Sequence, residues 1–381
     1  MEQYKPPRLS CFEGARNDLC ALSEVASCEF VLVVANETTL EASGASDAVA
    51  TFLAQHKHIW LSGFRSNAQL DALQRYAHVV KDAPISSVVA VGGGTAIDIA
   101  KILRASLQWG RDPSDLSHGI GLGSARPVRL IAMPTTAGSG SEATSFAVMY
   151  SGVHKLSIDH PSLLPDVAII DPDLTASVSP LQAASSGLDA LCQSIESLWS
   201  CQATEASIQI ATRACQICWG NIVSNVYAPS RHTRAAMCEA SHLAGRAINV
   251  SRTTACHALS YGISASYGVP HGYAVAMFLS PVFDLNAAIT VDTASAAVNA
   301  SECRVRLAKL ASTIGCNTIE EAAEAIKELC RKLRVPTRLR DVGVERSAVS
   351  SLLGSVDASR LRNNPRVLAG GDIANLLVSM W

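Results

Sequence analysis

Up to Pro172 the chain alternates short β-branched runs with stretches of helical periodicity, and no other feature restricts its fold as strongly. FVLVVA, HIWLSG, SVVAVGG, VRLIAMP and DVAIIDP read as strands, whereas ASDAVATFLAQ, NAQLDALQRYAHVV and TAIDIAKILRASL read as helices. Strands joined through helices pair in parallel, which predicts a parallel sheet with helices on both faces. The strands show little polar alternation, as expected when both faces are buried. Beyond about Pro180 extended β-branched runs largely disappear and apolar residues recur at helical spacing, from PLQAASSGLDALCQSIESLWS to ASAAVNASECRVRLAKLASTIG and TIEEAAEAIKELCRKL. The expected fold class is α/β plus all-α. A Rossmann-like, dinucleotide-binding domain over residues 1–175 precedes an all-helical metal and substrate domain over 176–381, with a cleft between them.

Composition agrees with two domains, because 381 residues exceed what one compact core usually holds. With 48% hydrophobic and 17% charged residues, the chain has a large interior, and some surface is expected to be covered in a homodimer or larger homo-oligomer. A net charge of −2 without a basic run argues against nucleic acid as a partner, leaving a small-molecule substrate. No apolar run is long enough to span a membrane. MEQYKPPRLSCFEGARNDL lacks the apolar region of a secretion signal, so the expected location is cytoplasmic. The twelve cysteines are scattered and read as reduced core thiols, the Cys215/Cys218 pair included.

SVVAV runs directly into Gly92, Gly93 and Gly94, with Thr95, Asp98 and Lys101 on the helix that follows. Glycines there let the backbone approach a pyrophosphate, and the helix N-terminus adds N–H groups and positive dipole. The pattern GGGT-x-x-D differs from the usual dinucleotide fingerprint, so a tight turn without a ligand is the alternative. MPTTAGSGSEAT adds Thr135, Thr136, Ser139 and Ser141 at the carboxyl end of another strand, where α/β sheets bind ligands. Two such loops are more specific than either alone. Beside Asn36, Glu37 at the end of the first strand could accept from a ribose 2′-hydroxyl, which favours NADH over NADPH; a solvated loop glutamate would read the same way.

Asp189 and Gln193 share one helix face at i, i+4, as do His257 and Tyr261, and His271 follows a Gly-Val-Pro turn. Aspartate and histidine suit a divalent first-row metal such as Fe²⁺ or Zn²⁺. Either histidine alone is more often a satisfied core imidazole; the company of Asp189 favours a ligand set.

GGGTAIDIAK, MPTTAGSGSE, DPDLTASVSP, GLDAL and HALSYGISASYGVPHG, in this order over roughly residues 30–285, resemble the group III, iron-dependent alcohol dehydrogenases. The resemblance implies a dinucleotide-binding domain followed by a helical metal-binding one. It implies cofactor contacts from Gly92–Gly94 and Thr135–Thr136, with Asp98 near the nicotinamide ribose. Asp189, His257 and His271 would be metal ligands. The chain departs from the family where a ligand histidine is replaced by Gln193, and where a histidine near the nicotinamide is replaced by Tyr261. Within the family, SIESLWSCQATEAS and GRAINVSRTTACHALSYGISASYGVPHGYAVA look most like phosphonoacetaldehyde reductases, which make 2-hydroxyethylphosphonate in phosphonate biosynthesis. Arg252, Thr253 and Thr254, just ahead of the His257 helix, offer a cation and two hydroxyls for a phosphonate at a helix N-terminus, with Lys155 as a second cation. An ordinary cap and a surface arginine are the alternative.

The expected reaction is NAD(P)H-dependent reduction of an aldehyde to a primary alcohol. Metal ligands Asp189, Gln193, His257 and His271 would surround a Lewis acid, and Tyr261 would relay a proton. The alternatives are another small aldehyde or polyol, a metal-free reductase, a dehydroquinate-synthase-like cyclase without net redox change, and a binding protein.

Overall fold

The structure, a computed structural model, describes residues 6–21, 30–116, 127–152 and 154–381. Residues 1–5, part of the stretch read for a secretion signal, lie outside them, as does Cys28. Two compact units emerge: Met1–Ser179 with Ser230–Cys238, and Pro180–Pro229 with Glu239–Trp381.

The first unit carries strands β1 (Arg8–Cys11), β2 (Phe30–Val34), β3 (Lys57–Leu61), β4 (Ser87–Gly92), β5 (Arg129–Pro134), β6 (Phe146–Ser151), β7 (His154–Asp159) and β8 (Val167–Ile170). Its helices are α1 (Glu37–Ser43), α2 (Ser46–Leu53), α3 (Leu70–Val80), α4 (Gly94–Trp109) and the single turn α5 (Pro113–Leu116). Six strands form one parallel sheet in the order β1-β8-β5-β4-β2-β3. Successive residues of the central strands enter different cores. Leu32, Val34, Val88, Ala90, Leu130 and Ala132 pack with Ile97, Ile99 and Leu103 of α4. Val31, Val33, Val89, Val91, Ile131 and Met133 pack instead with Leu40, Val49 and Phe52 of α1 and α2. Burial on both faces explains why these strands read as continuous apolar runs.

From β2 the chain moves outward to β3 at the sheet edge, then returns across β2 to β4 and continues the other way through β5 and β8. The topological switch point therefore lies between β2 and β4, and their carboxyl ends open the crevice where such sheets bind ligands.

Two elements were not expected from the sequence. β1 is a mostly exposed edge strand, too short for its pattern to register. The antiparallel β6–β7 hairpin, paired with Met149 opposite Leu156, carries Lys155 on its second strand. It is anchored by a buried cation: Lys101 on α4 is fully buried and donates to Ser141 Oγ at 3.0 Å, Thr144 Oγ1 at 3.0 Å and the Phe146 carbonyl at 2.8 Å.

The second unit contains α6 (Pro180–Trp199), α7 (Glu205–Tyr227), most of α8 (Arg231–Ser251), α9 (Ala255–Tyr267), α10 (His271–Ala287), α11 (Ala300–Thr313) and α12 (Ile319–Lys332), with shorter helical turns beyond. Helicity was expected from about Ala294, but α11 begins at Ala300, because Asn299 accepts from Glu302 N at 2.9 Å and caps the helix there. α6 is buried without interruption from Ala184 to Trp199, as befits a central helix, and packs against α7 and α10. Among the described residues no helix is long and apolar enough to cross a membrane.

Burial pushes the Lys101 ammonium down to about 8, although Asp98 and Glu142 pull it back up. Between about pH 8 and the ordinary lysine value of about 10.4, the unfolded chain holds a proton that the folded chain has lost. Stability should thus rise with pH across that window, by at most about 1.4 kcal/mol per unit, and lose this dependence below it. Urea titrations of wild type and Lys101→Met isolate the effect. The variant should be about 3 kcal/mol less stable at pH 7, because Asp98 loses its buried counter-charge, and the gap should widen from pH 8 to pH 10.

Candidate active site

In the sheet unit, the turn after β4 and the loop after β5 meet. A Cβ on Gly94 would lie 2.8 Å from Ser139 Oγ, and one on Gly93 3.3 Å from Thr136 Oγ1, so side chains there would wedge the loops apart. Gly92 has φ +153, a value L-residues avoid, and its carbonyl accepts from Thr135 N at 3.1 Å. Gly93 is the N-cap of α4, and Gly94 and Thr95 form its first turn, where helix N–H groups lack intrahelical partners. Asp98, one turn on, accepts from Ser141 Oγ at 2.7 Å and from Val148 N at 3.2 Å. Burial pushes its carboxyl up, opposed by Lys101 and Ser141; Lys155 is a further charge nearby. Glu37 is exposed at the start of α1, directly beyond β2 and Asn36, which puts it at the switch point.

In the helical unit, one point on α6 gathers the candidate ligands. His257 Nε2 lies 3.2 Å and His271 Nε2 3.9 Å from Asp189 Oδ1, and the three donor atoms all fall within 4.8 Å of one another. Ligand bonds of about 2.0–2.2 Å to one ion require donors about 3–4 Å apart, so the set fits a divalent metal. Gln193, 4% exposed, donates its amide Nε2 to the same Asp189 oxygen at 3.1 Å. A 180° turn of that amide presents Oε1 to the same point. The rings of His257 and His271 meet edge to face at 5.6 Å, and the Tyr261 ring stacks on His271 at 5.9 Å. Glycine makes the convergence possible, since a Cβ on Gly272 would fall 1.7 Å from the Ser185 carbonyl oxygen and 3.0 Å from Asp189 N. α10 thereby sits against α6 and brings His271 beside Asp189.

Glu196, on the same face of α6, was not expected from the sequence. It is fully buried, and its Oε2 pairs with His257 Nδ1. Its Oε1 accepts from Thr254 Oγ1 at 2.7 Å and from the N–H groups of Cys256 at 2.9 Å, Thr254 at 3.0 Å and His257 at 3.4 Å. The i, i+4, i+7 spacing of Asp189, Gln193 and Glu196 was the available signal. Burial opposes ionisation of both carboxyls, yet the imidazoles outweigh it and hold Asp189 and Glu196 below the usual range. For His257 burial acts the other way, but Glu196 and Asp189 prevail and raise it to about 9.

The structure thus brings Asp189, Gln193, His257, His271 and Tyr261 together, and separately Gly92–Gly94, Thr95, Asp98, Thr135, Thr136 and Ser139. It corrects the expectation for Thr253 and Thr254. The α9 N-terminus already holds the Glu196 carboxylate, so it is closed to an anionic substrate. Thr254 is fully buried, donating to Glu196 and accepting from Trp199 Nε1 at 2.8 Å. Thr253 is 5% exposed, and its carbonyl accepts from Asn363 Nδ2 at 3.1 Å. Arg252 is partly exposed between α8 and α9, at φ +60. Lys155 belongs to the other unit. Cys215 and Cys218 are buried in α7, where burial pushes both thiols up, as expected of packing residues.

A parallel sheet with a glycine-rich turn at its switch point, and a helical unit with an Asp–His–His cluster, together define a two-unit dehydrogenase of the metal-binding type. The chain belongs to the iron-containing alcohol dehydrogenases: that family's model matches residues 6–172, and its C-terminal counterpart matches residues 183–381. It is an NAD(P)-dependent alcohol dehydrogenase or aldehyde reductase. The phosphonoacetaldehyde reductase of Streptomyces viridochromogenes is 31% identical over 317 residues, 81% of this chain and 79% of that one. A probable alcohol dehydrogenase of Salmonella typhimurium is 32% identical over 304 residues, 78% of this chain and 73% of that one. Among solved structures, the sulfoacetaldehyde reductase of Bifidobacterium kashiwanohense in complex with NAD⁺ superposes with a TM-score of 0.87 at 26% identity, covering 100% of this chain and 98% of that one.

Gly272→Ala tests the contact that assembles the cluster. Forcing a methyl against the Ser185 carbonyl should cost about 1–3 kcal/mol in urea unfolding. It should also weaken Zn²⁺ binding measured by chelator competition. Unchanged affinity would show that the close approach at Gly272 does not position His271.

Proposed function

We propose that the protein reduces a small aldehyde bearing an anionic head group, with phosphonoacetaldehyde converted to 2-hydroxyethylphosphonate as the first candidate. The observation carrying this reading is the Asp189–His257–His271 cluster, with Asp189 and His257 buried and the His271 side chain exposed, in a chain similar over most of its length to a phosphonoacetaldehyde reductase and over all of it to a sulfoacetaldehyde reductase. The substrates those two names print differ in the head group, phosphonate or sulfonate, and share an acetaldehyde with a tetrahedral anion. Sulfoacetaldehyde is therefore the second reading.

The balanced reaction takes up one hydride from a reduced nicotinamide at the carbonyl carbon and one proton at the oxygen. A divalent metal such as Fe²⁺ or Zn²⁺ would be held by Asp189, His257, His271 and the Gln193 amide oxygen, and would supply Lewis acidity. Gly93, Gly94 and Thr95 offer the pyrophosphate a helix N-terminus, and Thr135, Thr136 and Ser139 add hydroxyls from the facing loop. Asp98, fixed by Ser141 and Val148 N, holds the nicotinamide ribose. Glu37 accepts from the adenine ribose 2′-hydroxyl and disfavours a 2′-phosphate, which selects NADH. The stack on His271 fixes the Tyr261 ring, and the phenol relays the proton. Arg252 pairs with the head group, its left-handed backbone a strained conformation of the kind that gathers at ligand sites.

Oxidation of NADH and NADPH by phosphonoacetaldehyde, sulfoacetaldehyde and propanal, compared through kcat/KM, tests the proposal. The expected order is a phosphonate preference with NADH. Arg252→Ala should lower kcat/KM for the anionic aldehydes by about 10- to 100-fold, the loss of one charged hydrogen bond, and leave propanal nearly unchanged. A wild-type preference for propanal would remove the anionic substrate class, and equal losses on all three would remove Arg252 from binding.

A further inference from the structure

We propose that Glu196 is the positioning residue that turns His257 into a metal ligand, by fixing its tautomer and clamping the start of its helix. The inference rests on the reading of Asp189, His257 and His271 as a metal site. It adds a residue on which that site depends.

The two oxygens of Glu196 have different tasks. Oε1 receives three backbone N–H groups, from Thr254, Cys256 and His257, together with the Thr254 hydroxyl. These are the donors that a helix N-terminus leaves unsatisfied, and Thr254 at the N-cap position makes no side-chain cap of its own. The cap of α9 is thus supplied from another helix, α6, which also carries Asp189. One carboxylate sets where α9 begins relative to α6, and His257 sits in the first turn, where that setting acts most directly.

Oε2 takes the second task. An ionised carboxylate only accepts, so the paired His257 Nδ1 must carry the hydrogen. Nε2 donates its own hydrogen to Asp189 at 3.2 Å, so the nitrogen that would exchange a hydrogen for a metal is Nε2 and not Nδ1. Fixing the tautomer through the far nitrogen is the general way in which a carboxylate behind a histidine prepares it for a metal. Here the same carboxylate also fixes the backbone of that histidine, so ring and main chain are set together.

Glu196→Gln separates the tasks. The substitution is isosteric, its carbonyl oxygen still accepts from the N–H groups of α9, and its NH₂ faces Nδ1. A donor there makes Nδ1 the acceptor and drives the hydrogen to Nε2, against metal binding. Zn²⁺ and Co²⁺ affinities of the full-length chain, measured by chelator competition, should fall about 10- to 100-fold, with helical circular dichroism retained. A folded variant with wild-type affinity would overturn the inference. Wild type that binds neither ion would instead defeat the metal-site reading itself, which keeps the two failures distinct. Should the variant not fold, ¹⁵N-histidine NMR of the Zn²⁺-loaded wild type decides. A protonated Nδ1 and metal-shifted Nε2 on His257, assigned with His257→Gln, are expected, and the opposite tautomer would overturn the inference.

Discussion

Two carboxylates, Asp189 and Glu196, are buried on one face of a single central helix. Each costs several kcal/mol unless paired, and the helical unit is organised around pairing them. His257 lies between both, His271 approaches Asp189 from α10, and the N-terminus of α9 closes on Glu196. Gly272 lets the two helix backbones come close enough for this arrangement. The site and the packing of its three helices are therefore one construction, and a change to any of them is felt in the others.

The sheet unit solves a similar problem with the opposite charge. Lys101 is fully buried, all three of its ammonium hydrogens have acceptors, and Asp98 reaches it through the Ser141 hydroxyl. That network ties α4 to the loop after β5 and to the hairpin. The glycine turn and the hydroxyl loop consequently hold a fixed spacing. In both units a buried charge marks the place where a ligand-binding loop or helix start is fixed.

Most of the parallel sheet was legible because its strands are buried on both faces and separated by helices, so period and order both register in the sequence. β1 and the β6–β7 hairpin were not, since a four-residue edge strand and a short, half-exposed pair lack that signature. Asp189, His257 and His271 could be picked out because their residue types announce metal chemistry. Glu196 could not, because a glutamate in a helix is ordinarily a solvated one; only its spacing from Asp189 and Gln193 pointed inward. Thr254 misled for the related reason that a threonine before a helix looks like a free cap, whereas here a remote carboxylate does the capping. Gln193, which replaces a histidine of the family pattern, keeps its place in the cluster and its contact with Asp189, so the departure changes one donor and leaves the frame intact.

Everything proposed for turnover depends on a divalent metal bound by this cluster. Metal content and NADH oxidation by phosphonoacetaldehyde should be followed in one sample through chelation and re-addition of Fe²⁺ or Zn²⁺, with Asp189→Ala in parallel. The expected result is one ion per chain, loss of ion and activity together, recovery of both, and neither in the variant. Turnover that survives complete removal of the metal, or an ion that Asp189→Ala retains, would contradict it.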